Sequence, residues 1–346
     1  MKEAVSTISK QKIKIALIGC GAIAKAHCAV IRELSDIADL VGVYDADHAR
    51  AQAFATENGI DTVYTSMDTL LASDAELVAI CTPSGLHAPL ALQCMRAGKH
   101  VVVEKPIALT ADDCEAILQA EKETGKLCAP ISQLRFSHDM RRAKEIIDSG
   151  VLGKPVLCDL YMKYYRDEAY YANSWRGTLK MDGGGALMNQ GIHGIDLMHF
   201  LLGDIAQING TVRTLVHDIE VEDTAVATVI FQNGALGVIE GTTSVRPSQP
   251  RRFELHFEKG SIIIEEDHIL SCDAPEFSLR EKTELFDSSS NPMNISYAYH
   301  KAQYLNVLSA IAGAEPLFYT AKQAAQSVKT ILAIYRSSKE EQTIRL

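Results

Sequence analysis

No stretch of this chain approaches the roughly 20 consecutive apolar residues that a membrane-crossing helix requires, so no spanning segment is expected. The opening residues, Met1 to Lys12, are polar and lack the apolar core of a secretory leader. Positive charge is in deficit: 34 Lys and Arg stand against 44 Asp and Glu, a formal net charge of -10. Non-specific binding to nucleic acid or to an anionic membrane, which rests on basic patches, is therefore not expected. The deficit does not exclude a phosphate-bearing ligand, because backbone N–H groups at a helix N-terminus hold phosphate without net positive charge. The eight cysteines (Cys20, Cys28, Cys81, Cys94, Cys114, Cys128, Cys158 and Cys272) include no C-x-x-C pair, and several sit in apolar runs where a thiol acts as a small hydrophobe. That pattern predicts reduced thiols and a cytoplasmic protein. Internal repeats and low-complexity segments are absent as well.

What is present is the composition of an ordinary globular protein. The 346 residues are 47% hydrophobic and 23% charged, with mean hydropathy near zero, which supports a large core and, at this length, two domains. The first third alternates short β-branched runs with helical periodicity. Ile13–Ile18, Asp39–Tyr44, Leu77–Cys81, His100–Val103 and Leu127–Ser132 read as strands. Ala24–Leu34, Asp47–Asn58, Leu86–Ala97 and Thr110–Thr124 read as helices, with Gly59, Gly98 and Gly125 placed as C-terminal stops. Strand–helix repetition with nearly all-apolar strands predicts a doubly wound parallel sheet covered on both faces.

After a helix at Ser137–Ser149 and a turn at Gly150–Pro155 the pattern changes. Pro155–Tyr165 alternates, and longer strand-like stretches run from Ile205 to Glu266. Asn233-Gly234 is a strong hairpin signal and Lys259-Gly260 a weaker one. The expectation is an α/β protein with a dinucleotide-binding domain at 1–132. A substrate-binding and oligomerisation domain at 133–346 would be an α+β unit on a large open, mostly antiparallel sheet. Helices at Ala186–Leu202, Ala298–Ala312 and Ala321–Ser337 would cover one face of that sheet. The other face is a candidate subunit interface of a homo-oligomer, a dimer or tetramer, because a bare sheet of that size would leave much apolar surface in water. Ser288–Pro292 reads as a flexible loop.

Gly19-Cys20-Gly21-Ala22-Ile23-Ala24 directly follows the first strand and opens a helix, the context a dinucleotide turn needs. Gly19 permits the tight turn, Gly21 lets backbone approach a pyrophosphate, and Ala24 keeps a small side chain where helix and strand pack. Asp45, at the end of the second strand, is placed to accept the adenosine ribose hydroxyls. Asp47 adds charge that repels a 2′-phosphate, so NAD is favoured over NADP. Arg50, one turn into the next helix, either softens that preference or lies solvated on the helix face. Cys81-Thr82-Pro83-Ser84-Gly85-Leu86-His87 ends another core strand at the carboxyl edge, where ligands bind in open α/β sheets, and Thr82, Pro83, Ser84 and His87 are candidate cofactor contacts.

Glu104-Lys105-Pro106 ends a further core strand on that edge. A free lysine has a pKa near 10.4 and is a poor base, but burial beside a cationic nicotinamide lowers it toward the useful range. A Glu104–Lys105 ion pair is geometrically poor, since adjacent strand residues point to opposite faces. Downstream, Asn189, His193 and Asp196 stand on one face of a predicted helix. His193 suits acceptance of an alcohol proton, with Asp196 to orient it. His193, Asp196 and His199 have the spacing of a metal site, but hydride transfer needs no metal and none is expected. Arg166, Tyr170-Tyr171 and Trp175-Arg176 precede the glycine run. Aromatic faces stack on sugars and arginine forks bind carboxylate or phosphate, although the single tryptophan is as readily a core residue.

These motifs together resemble the Gfo/Idh/MocA family, named for glucose–fructose oxidoreductase and inositol 2-dehydrogenase. The resemblance runs through the glycine turn, Glu104-Lys105-Pro106, Gln133-Leu-Arg135-Phe136 and the glycine-rich helix with His193. It implies an N-terminal Rossmann domain, a C-terminal domain with an open sheet, and an oligomer. It also implies proton transfer by Lys105 and His193, with Gln133 and Glu104 near the cofactor. The chain departs at Asn189, where many members carry aspartate, so Asn189 is assigned to a substrate hydroxyl. The stretch from Tyr170 through Trp175-Arg176, Asn189 and Asp196 to Glu222-Asp223 looks most similar to the UDP-N-acetyl-2-amino-2-deoxyglucuronate dehydrogenases, which implies NAD-dependent oxidation at a ring C3 hydroxyl. Arg166 there matches an arginine suited to an anionic substrate. A polyol, inositol or glycoside 3-dehydrogenase, and a non-catalytic NAD-sensing regulator on the same fold, are the alternatives.

Overall fold

A computed structural model of the chain describes residues 12–172, 175–275, 277–278 and 297–346. Two compact units are present, and neither is one continuous piece of sequence: the first holds residues up to Gln133 together with Tyr297–Ala325, the second Leu134 onward together with Gln326–Leu346.

The first unit is built on a parallel sheet of β1 (Ile13–Ile18), β2 (Ala38–Tyr44), β3 (Leu77–Ile80), β4 (His100–Val103) and β5 (Cys128–Pro130), in the order β2-β1-β3-β4-β5. All of β3 is buried, as a strand covered on both faces must be, which is why its sequence reads Leu-Val-Ala-Ile with no alternation. The chain goes from β1 outward to β2 and returns on the other side of β1 as β3. That reversal of direction creates the crevice where open α/β sheets bind ligands, at the carboxyl ends of β1 and β3. Four helices follow the strands as expected, at Ala22–Glu33, His48–Glu57, His87–Arg96 and Ala111–Thr124. Thr110 caps the last by accepting from the Asp113 N–H, and Gly125 ends it at φ +67°. A short helix at Met67–Leu71, closed by a Ser66–Thr69 capping box, has no counterpart in the expected pattern.

One helix changes units. Tyr297–Ile311 was expected to cover the second sheet, but it packs in the first unit, where Tyr304, Val307 and Leu308 join the core with Cys28 and Ile31. Gln303 locks it in place, donating to the Pro130 carbonyl at 2.7 Å and accepting from the Ser132 N–H at 3.1 Å. The boundary expected near residue 132 is therefore incomplete. Periodicity announces a helix with a buried face, but not the partner for that face.

The second unit carries a sheet of β6 (Pro155–Lys163), β7 (Ile205–Arg213), β8 (Thr224–Phe231), β9 (Leu236–Thr242), β10 (Arg252–Phe257), β11 (Gly260–Glu265), β12 (His268–Cys272) and β13 (Ile344–Arg345). The order is β12-β11-β10-β6-β9-β8-β7-β13, antiparallel except for the β6–β9 pair. Both expected hairpins are present, at Asn233-Gly234, with Gly234 at φ +89°, and at Lys259-Gly260. Along β8 burial alternates: Ala225, Ala227, Val229 and Phe231 face the core, while Val226 and Ile230 are exposed. The helix Ile192–Leu202 lies on the covered face so closely that a Cβ on Gly194 would stand 2.5 Å from the Met162 sulfur. Ser288–Pro292 lies outside the described residues. Among the described residues no helix is long and apolar enough to cross a membrane.

Candidate active site

In the first unit the loop after β1 is held by its neighbours. Gly19 adopts φ +88°, a Cβ there would meet the Cys81 carbonyl oxygen at 2.8 Å, and its N–H donates to the Tyr44 carbonyl at 2.8 Å. Only glycine satisfies both conditions. Gly21 caps the helix Ala22–Glu33 without a side-chain hydrogen bond, and nothing lies within 4 Å of where its Cβ would be. Gly21 and Ala22 are exposed and Ile23 half-buried, which leaves an open N-terminus suited to phosphate, while Ala24 is fully buried against the sheet.

Asp45 stands beside this turn. Its carboxylate accepts from the Cys20 N–H at 2.9 Å, the Asp47 N–H at 2.8 Å, and the Arg50 guanidinium at 3.0 and 3.1 Å. Arg50 is thus paired with Asp45 while its side chain stays 54% exposed on the helix face. Burial pushes the Asp45 carboxyl up, but Arg50 and the two N–H donors outweigh it, so the group stays ionised at neutral pH. Among the described residues, Thr82 Oγ1 and Gln133 Oε1 are buried oxygens with no hydrogen-bond partner. An open helix N-terminus, an ionised carboxylate at the end of β2 and two orphaned buried oxygens fit a dinucleotide.

Three of the expected cofactor residues, Ser84, His87 and Glu104, are buried. His87 is 1% exposed, and its ring spans the Pro106 carbonyl (2.6 Å) and the Thr82 carbonyl (2.9 Å). It braces the loop after β3 against the turn after β4, and Ser84, also buried, belongs to the same loop. Glu104 is 8% exposed and turned inward, bonded through Oε1 to His27 Nε2 at 3.0 Å. Its other oxygen accepts the Lys105 N–H at 3.2 Å. Pro83 and Lys105 remain half-buried at the carboxyl edge. His27, Glu104 and His300 each bring a ligand-type atom within 4.8 Å of the others, but the His27–Glu104 hydrogen bond already joins two of these atoms.

The second unit gathers the expected substrate residues. Arg166 is 5% exposed, its Nη1 donates to the Tyr165 carbonyl at 2.8 Å, and its guanidinium lies 5.7 Å from the Tyr170 ring centre. Arg176 lies 4.6 Å from the same ring centre and 5.2 Å from that of Trp175. Trp175 is half-buried beneath this cation and so is not wholly in the core. Two residues were missed. Gln190 donates to the Tyr170 hydroxyl at 2.9 Å, and buried Asp182 accepts the Asn189 amide at 2.7 Å and the Gly177 N–H at 2.9 Å. Asp182 stands just before three glycines, and that adjacency was the available signal.

The expected continuous helix 186–202 is instead a π-helical segment, Ala186–Gly191, running into an α-helix from Ile192. Glu222 produces the wide turn by accepting the Gly185 and Leu187 N–H groups, each at 2.8 Å. A Cβ on Gly185 would fall 1.8 Å from the Glu222 carbonyl, so the glycine run is sterically required. π segments recur at functional sites, and this one carries Asn189 one turn ahead of His193. Asp196, expected at the substrate, is engaged within the second unit. It is 2% exposed and takes two hydrogen bonds of 2.7 Å from Arg135 and one of 3.3 Å from the Ser327 hydroxyl. The carboxylate expected to orient His193 is also the ion-pair partner of Arg135. His199 bonds Thr330 at 2.8 Å.

A reversed parallel sheet with a glycine turn, an ionised carboxylate at the end of β2 and a second unit of cationic and aromatic groups is the arrangement of an NAD-binding oxidoreductase. Residues 13–131 match the oxidoreductase family with an NAD-binding Rossmann fold, and residues 140–263 match the GFO/IDH/MocA C-terminal domain. The chain belongs to the Gfo/Idh/MocA family. It is similar to the WlbA dehydrogenase of Bordetella pertussis, solved in complex with NADH and UDP-GlcNAcA: 30% identity, TM-score 0.87, covering 98% of this chain and 99% of that one. The Chromobacterium violaceum WlbA dehydrogenase, with the same ligands, is 28% identical at TM-score 0.87, covering 98% and 97%. A scyllo-inositol 2-dehydrogenase (NADP+) of Bacillus subtilis is 30% identical over 78% of this chain and 79% of its own length.

The Asp45–Arg50 pair makes a cofactor prediction. Asp45→Ala is expected to lower kcat/KM for NAD by about 10- to 150-fold, the worth of a charge-assisted hydrogen bond. It also releases Arg50, so the loss for NADP should be much smaller. Parallel steady-state assays with both cofactors check this, and equal losses would remove Asp45 from the ribose.

Proposed function

We propose that the protein is an NAD-dependent dehydrogenase that oxidises a secondary ring hydroxyl, at C3, of an anionic nucleotide sugar. The observation that carries this reading is the Arg166, Tyr170, Trp175 and Arg176 cluster beside Asn189, which combines cations for a carboxylate or phosphate with aromatic faces for a sugar. The likeness to two WlbA dehydrogenases solved with NADH and UDP-GlcNAcA supports it. The likeness to an inositol dehydrogenase favours a neutral polyol as the second reading.

NAD, when bound, would supply the hydride acceptor, and the Gly19–Ala24 turn, Asp45, Thr82 and Gln133 would hold it. The chain's own residues must take the hydroxyl proton, and that task falls to Lys105 with His193. Asn189 has no proton-accepting group, and with its amide nitrogen bound to Asp182 it orients a substrate hydroxyl instead. The protein is cytoplasmic, in keeping with eight free cysteines, and self-associates through the outer sheet face, where Val226, Ile230 and Leu236 are exposed.

Arg166→Ala separates the two substrate readings. With UDP-GlcNAcA the expected loss in kcat/KM is about 10- to 150-fold, mainly through KM, because a charge-assisted hydrogen bond is removed. With scyllo-inositol or a simple glucoside the loss is several-fold at most. A neutral best substrate together with a silent Arg166→Ala overturns the nucleotide-sugar assignment.

A further inference from the structure

A buried charged network lies against the Lys105 backbone and has no part in the reading above. His27, fully buried on the helix Ala22–Glu33, has both ring nitrogens engaged: Nδ1 with the Tyr304 hydroxyl at 2.7 Å and Nε2 with Glu104 Oε1 at 3.0 Å. The His300 ring stands edge-on to it at 5.9 Å between centroids. Glu104 closes the network by accepting the Lys105 N–H through its second oxygen. Four segments meet here: the first Rossmann helix, Cys81 after β3, the end of β4, and the helix Tyr297–Ile311. His87, on the helix His87–Arg96, feels the charges of both Glu104 and Lys105.

Glu104 places the network under an electrostatic constraint. Burial alone pushes its carboxyl up, but the hydrogen bond and charge of His27 outweigh burial and bring it down to about 2. Burial likewise opposes charge on His27, yet Cys81, Tyr304 and Glu104 together hold it well above its ordinary value. The Glu104 carboxylate thus faces the His27 ring at 3.0 Å out of water, where a positive ring is the counter-charge in direct hydrogen-bond contact with it. An uncompensated carboxylate one residue from Lys105 would stabilise the lysine as ammonium and make it a worse base.

We propose that His27 is a positioning residue for Lys105: as an imidazolium it neutralises Glu104, so that this carboxylate fixes the lysine's backbone without also strengthening its hold on a proton. The step rests on Lys105 being the base, and the experiment is chosen to read its proton affinity without turnover. Competitive acetylation across a pH series, followed by mass spectrometry of the Lys105 peptide, gives that affinity in NAD-bound enzyme. In His27→Gln, which keeps a hydrogen-bond donor and removes the charge, the Lys105 midpoint should rise by about one pH unit. In His27→Gln/Glu104→Gln it should return to the wild-type value, a restoration that a purely structural role does not produce. Unmoved midpoints in folded His27→Gln overturn the proposal. NMR titration of the wild-type histidines covers the case in which a variant does not fold: His27 should be protonated at about pH 7, and a neutral ring there overturns the proposal. Wild-type-like turnover by Lys105→Met would defeat the assignment of the base, while the midpoint comparison would still judge the His27–Glu104 coupling.

Discussion

Lys105→Met should bind NAD within a few-fold of the wild-type affinity and lose turnover by about two to four orders of magnitude, the usual contribution of a positioned proton acceptor. Binding is expected to survive because the glycine turn and Asp45, to which NAD binding is assigned in the proposal, belong to the loop after β1 and the end of β2, whereas Lys105 follows β4. Methionine retains the length and apolar stem of lysine, so packing at the carboxyl edge is disturbed little. Quenching of tryptophan fluorescence or calorimetry reports the affinity, and NADH absorbance reports the turnover. A loss of binding equal to the loss of turnover would make Lys105 a cofactor anchor. Near-normal turnover would remove it from the chemistry and leave His193 as the remaining candidate.

The second large effect is on stability. Arg135 and Asp196 form a pair with both side chains almost wholly out of water, at 2% and 3% exposure, and the Arg135 guanidinium also lies 5.0 Å from the Phe200 ring centre. Arg135→Met leaves the Asp196 carboxylate buried with the Ser327 hydroxyl at 3.3 Å. Breaking a buried pair from one side typically costs about 3–5 kcal/mol, because the remaining charge keeps its desolvation penalty. Urea denaturation monitored by circular dichroism should show that loss. Arg135→Met/Asp196→Leu should recover much of it, since replacing both partners removes the stranded charge. A single variant as stable as the wild type would mean that Asp196 reaches water, and it would reopen Asp196 as a substrate group.

The same pair illustrates what a linear pattern conveys. The spacing of Asn189, His193 and Asp196 was read as one functional face of a helix. Asn189 does reach a site cluster through Asp182, but Asp196 is absorbed by an arginine 61 positions away in sequence. Periodicity reports which way a side chain points relative to its own helix, and nothing in it records what stands opposite. Glu104 is a parallel case. Its poor geometry for pairing with Lys105 was foreseeable from strand alternation, whereas its partner His27 lies 77 residues away and became visible only once β4 and the first helix were packed together.

Local chemistry was sufficient where the determinants are local. Ile13–Ile18 and His100–Val103 are strands because β-branched runs that must be buried on both faces can be little else. Gly19 sits in the left-handed region after β1, and the Asn-Gly pair turns a hairpin, because each needs only its own backbone freedom. The sequence by itself therefore determined the Rossmann half, the hairpins of the second sheet and the family. Tertiary structure alone decided the assignment of Tyr297–Ile311 to the first unit, the π-helical turn that Glu222 draws out of Ala186–Gly191, and the pairing of Arg50 with Asp45. Each depends on a contact between residues whose separation in sequence or direction in space the pattern leaves open, and desolvation of a charge or satisfaction of a buried N–H selects one arrangement over the others.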